Sequence, residues 1–213
     1  MITIAIAKGR LQESALSLLA RAGIRMSEDG LNSRRLALTD ETGSYRFIFV
    51  KPADVPVYVE HGIADCGVVG RDVLLETRAD LLLPLDLGIG RCRIVVAAAD
   101  ADALTKVQGM MRVATKYSQI ASSHFGSRGI PVEIIQLSGS VELAPALGLA
   151  DLIVDLVETG TTLRENGLIV VDEIAESTGR LVVNRASYQL KAEEVGQLVD
   201  RISRILDENY STR

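Results

Sequence analysis

Two rhythms of apolar residues alternate along this chain: short β-type runs, and stretches in which apolar positions return at helical spacing. ITIAIA (2–7) reads as a strand, after which Leu11, Ala15, Leu18, Leu19 and Ala22 predict a helix that Gly23 stops. RRLALTDETGSYRFIFV breaks the alternation, because two apolar-rich runs flank DETG and predict an antiparallel hairpin. KPADVPVYVEHG predicts a short helix, ADCGVVG a strand, RDVLLET a helical turn, and DLLLPLDLGIG a strand with its exit. In a second series RCRIVVAAA (91–99) and MRVAT predict strands, and YSQIASSHFGSRG a helix closed by Gly129. VEIIQL follows as a strand, SVELAPALG as a short helix, ADLIVDLV as a strand, TGTTLRENG as a helix and LIVVDEIAES as a strand. SYQLKAEEVGQLVDRISRILDENY sets Leu190, Val195, Leu198, Ile202 and Ile205 among charges, the pattern of one terminal amphipathic helix. Strands alternating with helices argue an α/β fold whose strands are largely parallel.

In DLGIGRC, Gly88 and Gly90 permit unusual backbone angles between two strand-like segments and mark a hinge. A return crossing is expected near GRLVVNRAS (179–187). The chain then divides into lobe one, residues 1–90 plus 183–213, and lobe two, residues 91–182. Paired crossovers between two lobes are expected to leave a cleft, the usual place for a small ligand.

Composition narrows the ligand. With 47% hydrophobic and 24% charged residues the chain has a globular profile, so disorder is not indicated. A net charge of −5 disfavours nucleic acid, which needs clustered Lys and Arg. A small anion remains open, since a few local cations and main-chain N–H groups suffice. The opening residues lack a leader pattern, and no run approaches the ~18 uncharged apolar residues of a membrane helix. Two cysteines, Cys66 and Cys92, are too few for a disulfide framework. The expectation is a cytoplasmic protein with reduced thiols, contacting neither membrane nor nucleic acid.

The densest chemistry is DLVETGTTL, residues 155–163, where a buried strand gives way to a helix. Open α/β sheets hold ligands at such strand ends. Helix N-termini offer unpaired N–H groups, Gly160 lets the backbone approach an oxyanion, and Thr159, Thr161 and Thr162 add hydroxyl donors. A phosphate monoester fits these donors, and Asp155 or Glu158 suits the hydroxyls of a ribose. A plainer account is that Thr159 caps the helix. AKGRL places Lys8 and Arg10 at another strand-to-helix junction, where cations oppose the helix dipole and an anion would explain them; a solvated basic loop would too. Of Arg34 and Arg35 at the hairpin start, only one can face the ligand, and an arginine there would suit a pyrophosphate as well as it suits an exposed edge. Gly139 and Ser140, with Glu142 after them, open a short helix in a weaker version of the same theme that capping alone explains. Gly67 and Gly70 serve either tight packing or backbone approach to a flat base. His61 and His124 have no partners at metal-ligand spacing, so no protein metal site is expected, and no Walker loop or nucleophile elbow is present.

Taken together, AIAKGRLQES, KPADVPVYVEHGIADCGVVGRDVL, LDLGIGRCRIVVA, ATKY, GSVELAPALGLADLIVDLVETGTTLRENGL and RLVVNRASY resemble, in order, the catalytic subunits of the ATP phosphoribosyltransferase family. The resemblance implies a two-lobed fold like periplasmic binding proteins of type II, with a cleft between lobes. It implies transfer of 5-phosphoribosyl from phosphoribosyl pyrophosphate to nitrogen-1 of the adenine of ATP, with Mg2+ bound to substrate and pyrophosphate leaving. Glu158, Thr159, Gly160, Thr161 and Thr162 would then cradle the 5-phosphate, and Asp155 or Glu158 the ribose diol. Lys8, Arg10 and Arg34 would neutralise pyrophosphate and the ATP phosphates, while Gly67, Gly70, Ser140 and Glu142 are nucleotide-binding candidates. Nitrogen-1 carries its own lone pair, so alignment and charge stabilisation suffice and no strong base is required. The chain also looks like the short form of the family. That form implies a homodimer within a hetero-oligomer, with histidine control in a regulatory subunit resembling a histidyl-tRNA synthetase catalytic domain. The rival class is a non-catalytic two-lobed protein that closes on anions without reacting them.

Overall fold

The computed structural model describes residues 1–26, 37–105 and 109–211. In chain order the elements are β1 (Ile2–Ala7), α1 (Gln12–Arg21), β2 (Ala37–Thr39), β3 (Tyr45–Val50), α2 (Val55–Glu60), β4 (Cys66–Gly70), α3 (Arg71–Thr77) and β5 (Leu82–Asp86). There follow β6 (Cys92–Ala98), β7 (Met111–Thr115), α4 (Ser118–Ser127), β8 (Val132–Gln136), α5 (Leu143–Ala146), β9 (Leu152–Val157), α6 (Thr161–Glu165) and β10 (Ile169–Ser177). The chain closes with β11 (Gly179–Val183), α7 (Arg185–Leu190) and α8 (Ala192–Ser211). Two compact units divide it: Met1–Gly90 with Thr178–Arg213, and Arg91–Ser177.

The first unit holds a sheet of order β2-β3-β1-β4-β11-β5. Strand alternation gives it two apolar faces. From β1, Ile2, Ile4 and Ile6 meet Ala15, Leu18 and Leu19 of α1 and Val195, Leu198 and Ile202 of α8. Ala5 and Ala7 point the other way, toward Val55 and Val59 of α2. The second unit repeats the scheme with order β10-β6-β9-β7-β8. On one face Ile94, Val96, Leu152 and Val154 pack with Ile120, Ala121 and Phe125 of α4. On the other, Val95, Ala97, Ile153 and Val157 pack with Ala144 of α5 and Leu163 of α6.

Three expectations are corrected. The strands are not largely parallel: β1 with β3 and β4, and β7 with β8 and β9, are parallel, but β2–β3, β4–β11, β5–β11, β6–β9 and β6–β10 run antiparallel. For β4–β11 and β5–β11 the reason lies in the second correction. GRLVV, read as a crossing, is a buried strand that enters the first sheet between β4 and β5, against the direction of β4. The second unit accordingly ends at Ser177, not at 182. Thirdly, the terminal helix is two helices. Asn184 caps α7 by accepting from the Ser187 N–H at 2.9 Å. At Lys191 the backbone leaves helical angles (φ −124°, ψ 41°) and its ammonium donates to the buried Asp65 carboxylate at 2.8 Å. The expected hairpin is present as β2–β3, its turn held by Asp40, which accepts from the Tyr45 N–H at 2.8 Å.

Candidate functional site

β9 carries one polar residue on an otherwise apolar face: Asp155 alternates with Ile153 and Val157, both buried in the layer beneath α5 and α6. Its side chain keeps 24% of its surface exposed, enough for a ligand to reach one edge. Burial holds its carboxyl above the ordinary carboxylate range and Glu142 adds to that, against the Leu156 N–H and the Lys116 ammonium, which pull it down. Lys116 Nζ stands 3.8 Å from Asp155 Oδ1 and 4.9 Å from the centre of the Tyr117 ring. The lysine is set there by its neighbour. The buried Thr115 hydroxyl donates to the Val154 carbonyl at 2.6 Å and accepts from the Tyr117 N–H at 2.8 Å, pinning the exit of β7 to β9. Next along, the Ser118 hydroxyl is buried without a hydrogen-bond partner.

Beyond β9 the chain turns through Glu158, Thr159 and Gly160, the last at φ +76°, into α6. A side chain at 160 would be strained by that angle, and an added Cβ would lie 3.2 Å from an Arg164 guanidinium nitrogen. Thr159 does not cap in the expected way, since the capping position is Gly160. Its hydroxyl instead sits 3.1 Å from the Thr161 hydroxyl and 3.4 Å from the Thr161 N–H. Arg164 folds back over the loop, donating to the Thr159 carbonyl and to Thr161 Oγ1, each at 3.1 Å. Glu158, Thr159, Thr161 and Thr162 are exposed. The first N–H groups of a helix have no carbonyl of their own helix to reach. Main-chain donors, hydroxyls and a guanidinium thus stand together within the second unit, with a carboxylate two positions up the strand from Val157. Ser140, at φ +49°, and Glu142 precede α5 without side-chain caps.

In the first unit Lys8, Gly9 and Arg10 follow β1 and are exposed, Gly9 at φ +92°. The Lys8 N–H joins the Val50 carbonyl at 2.9 Å, so the loop stays on the sheet. The Arg10 guanidinium donates to the Gly90 carbonyl. Gly90 permits this: a Cβ there would lie 2.2 Å from Leu11 Cδ2. Arg34 and Arg35 lie outside the described residues. Gly67 makes room for α2, since an added Cβ would fall 2.7 Å from Val55 and 2.9 Å from Val59. At Gly70 the same atom would strike the Asp72 carboxylate at 2.1 Å. Packing therefore accounts for both glycines. His124 is a structural residue, its Nε2 3.0 Å from Asp172 Oδ2, and His61 ends α2 on the surface. Among the described residues no three metal-ligating side chains come together.

Lys116, Ser118 and Arg164 join the site without having been expected from the sequence. The first becomes relevant only through the sheet, because β7 and β9 pair in parallel and so bring the exits of both strands to the same end.

Against known proteins, the family model described as ATP phosphoribosyltransferase (HisG) matches residues 51–204. An ATP phosphoribosyltransferase of Sorangium cellulosum is 52% identical over 201 residues, covering 94% of each chain. One from Geobacillus kaustophilus is 48% identical over 206 residues, 97% of this chain and 99% of that one. Among solved structures, the ATP phosphoribosyl transferase (HisG:HisZ) complex from Thermotoga maritima matches with a TM-score of 0.84 and 36% identity, covering 98% of this chain and 100% of that one. A periplasmic binding protein from Silicibacter pomeroyi in complex with lysine, at TM-score 0.63 and 13% identity, shares the fold alone.

Proposed function

The chain belongs to the ATP phosphoribosyltransferase family, and from that premise we propose how its residues divide the work. The enzyme is a glycosyltransferase that moves 5-phosphoribosyl from phosphoribosyl pyrophosphate to nitrogen-1 of the adenine of ATP, releasing pyrophosphate in the first step of histidine biosynthesis. The fold is that of type II periplasmic binding proteins.

We assign the 5-phosphate to the loop Glu158–Thr162 and the ribose diol to Asp155. The observation that carries this is the loop itself: hydroxyl and N–H donors around a left-handed Gly160, with a part-buried carboxylate just upstream. Glu158 faces solvent. Asp155 is therefore preferred for the diol, because a hydroxyl bond to a carboxylate gains where water competes less. The chemistry asks little more of side chains than alignment. Adenine nitrogen-1 attacks the anomeric carbon with its own lone pair, the bond to pyrophosphate breaks, and positive charge develops on the ribose ring. Lys8, Arg10 and Arg34 are assigned to the pyrophosphate and ATP phosphates, where cations stabilise the departing charge. Ser140 and Glu142 are assigned to the nucleotide. Mg2+ would enter with the substrate, carried on its pyrophosphate.

The reading extends to a cytoplasmic enzyme working as a homodimer within a hetero-oligomer, with histidine control in a separate regulatory subunit. Its support is the solved relative from Thermotoga maritima, a HisG:HisZ complex. Among the described residues no helix is long and apolar enough to cross a membrane. The deciding experiment follows ribosylated adenine by ultraviolet absorbance, with ATP, phosphoribosyl pyrophosphate and Mg2+, with and without histidine and a regulatory subunit. Product is expected, and product made by the chain alone should resist histidine. No product with the subunit present, while phosphoribosyl pyrophosphate still binds, would return the fold to binding alone.

A further inference from the structure

Resting on the assignment of Asp155 to the ribose diol, we propose that Lys116 is a positioning residue: its ammonium keeps the Asp155 carboxylate charged and held toward the exit of β9, ready to accept the ribose hydroxyls. A carboxylate between Ile153 and Val157 faces an apolar layer, and the loss of solvent there favours its protonated form over a part-buried anion. A protonated carboxyl has lost acceptor capacity, and a ribose diol brings two O–H donors.

The charged groups around Asp155 oppose one another. Glu142, ahead of α5, repels its charge, while Lys116, at the exit of β7, attracts it from 3.8 Å. From β6 the paired residue is Val95, which carries no charge. From α6 the residue in this layer is Leu163, with Arg164 turned to the loop and Glu165 exposed. Lys116 is thus the cation that answers Glu142. Its place is built rather than incidental, because the Thr115 hydroxyl ties the residues on both sides of it to β9. The lysine is 42% exposed at its side chain, so removing it leaves the core untouched.

The experiment uses the full chain with its regulatory subunit and compares wild type with Lys116→Met, Lys116→Arg and Asp155→Asn from pH 5 to 8.5. In Lys116→Met the KM for phosphoribosyl pyrophosphate should rise about tenfold at the acid end and recover toward the wild-type value at the alkaline end, with kcat and the KM for ATP nearly unchanged. Lys116→Arg should keep the wild-type profile. In parallel, the Asp155 carboxyl carbon is followed by NMR, its signal identified by its loss in Asp155→Asn. Its titration midpoint should move up in Lys116→Met. A KM raised equally at every pH would mean that Lys116 holds the substrate anion itself, and an unmoved midpoint would mean that it does not act on Asp155; either overturns the proposal. The underlying assignment fails separately, if Asp155→Asn leaves the KM for phosphoribosyl pyrophosphate as it was.

Discussion

Asp155 is a residue whose functional value and structural cost have opposite signs. Burial raises its proton affinity, so the charged form that the proposed diol contact calls for is the form the fold disfavours. A carboxyl held higher in the folded than in the unfolded chain favours folding at low pH and loses that contribution as pH rises through the folded value. At neutral pH the ionised group is therefore a burden. Asp155→Asn should weaken phosphoribosyl pyrophosphate binding while raising Tm by roughly 2–4 °C, the effect of about 1 kcal/mol in a chain of this size. Calorimetry on the two proteins checks both signs, and a lowered Tm would make Asp155 a structural residue instead. Arg164 poses a smaller question. It bonds Thr159 and Thr161 at the surface, where each neutral-acceptor bond contributes modestly. Arg164→Ala should loosen the loop and weaken phosphoribosyl pyrophosphate binding about fivefold by isothermal titration, leaving Tm within about 1 °C. The motif DLVETGTTL made the loop legible, because its chemistry is local. Arg164 and Lys116 were not legible, since their partners are set by how α6 folds back and which strand lies beside β9.

Among the elements, α2 lies close against β4 at Gly67. Val55 and Val59 occupy the space a side chain at 67 would need, and the Ala5 carbonyl would lie 3.3 Å away on the third side. Gly67→Ala should destabilise the first unit by about 1–3 kcal/mol, read as a lower urea midpoint at unchanged slope. The same spacing that suggested a flat base over Gly67 is thus answered by packing. Helical and strand periodicities located nearly every element, and they failed at β11 and at the α7–α8 break. GRLVV has the composition of a strand, but its neighbours in sequence offered no sheet for it, because β4 and β5 are separated from it by the whole second unit. Lys191 breaks the terminal helix because its ammonium, the Ser187 hydroxyl and the Thr3 N–H converge on Asp65, a grouping invisible along one segment.

For the whole molecule the titrating groups differ between the units, so acid should affect them in turn. In the second unit His124 is buried and lowered, by desolvation first and then by Arg128, with Asp172 opposing. Its neutral form favours the fold above the ordinary value near 6.5, and that contribution is lost as pH falls through the folded value. In the first unit burial pushes Asp65 up, but Lys191, Thr3 and Ser187 more than reverse it, so its contribution stands above the usual carboxylate range and fails only below it. Hydrogen exchange followed by mass spectrometry should therefore show the segment 118–127 losing protection at a higher pH than 2–7 and 195–202. His124→Gln, which can still donate to Asp172, should remove the earlier step. Unchanged behaviour in that variant would assign the step elsewhere in the second unit. What the sequence determined by itself is what neighbours along the chain decide: the period of each element, its apolar face, the glycines between β5 and β6 and the hydroxyl and N–H donors that follow β9. Strand order, the return strand β11, the partnership of Lys116 with Asp155 and the bond of Arg10 to Gly90 were decided only by tertiary structure. Each joins groups distant in sequence, and their pairing depends on which layers the units bury together rather than on any pattern within one segment.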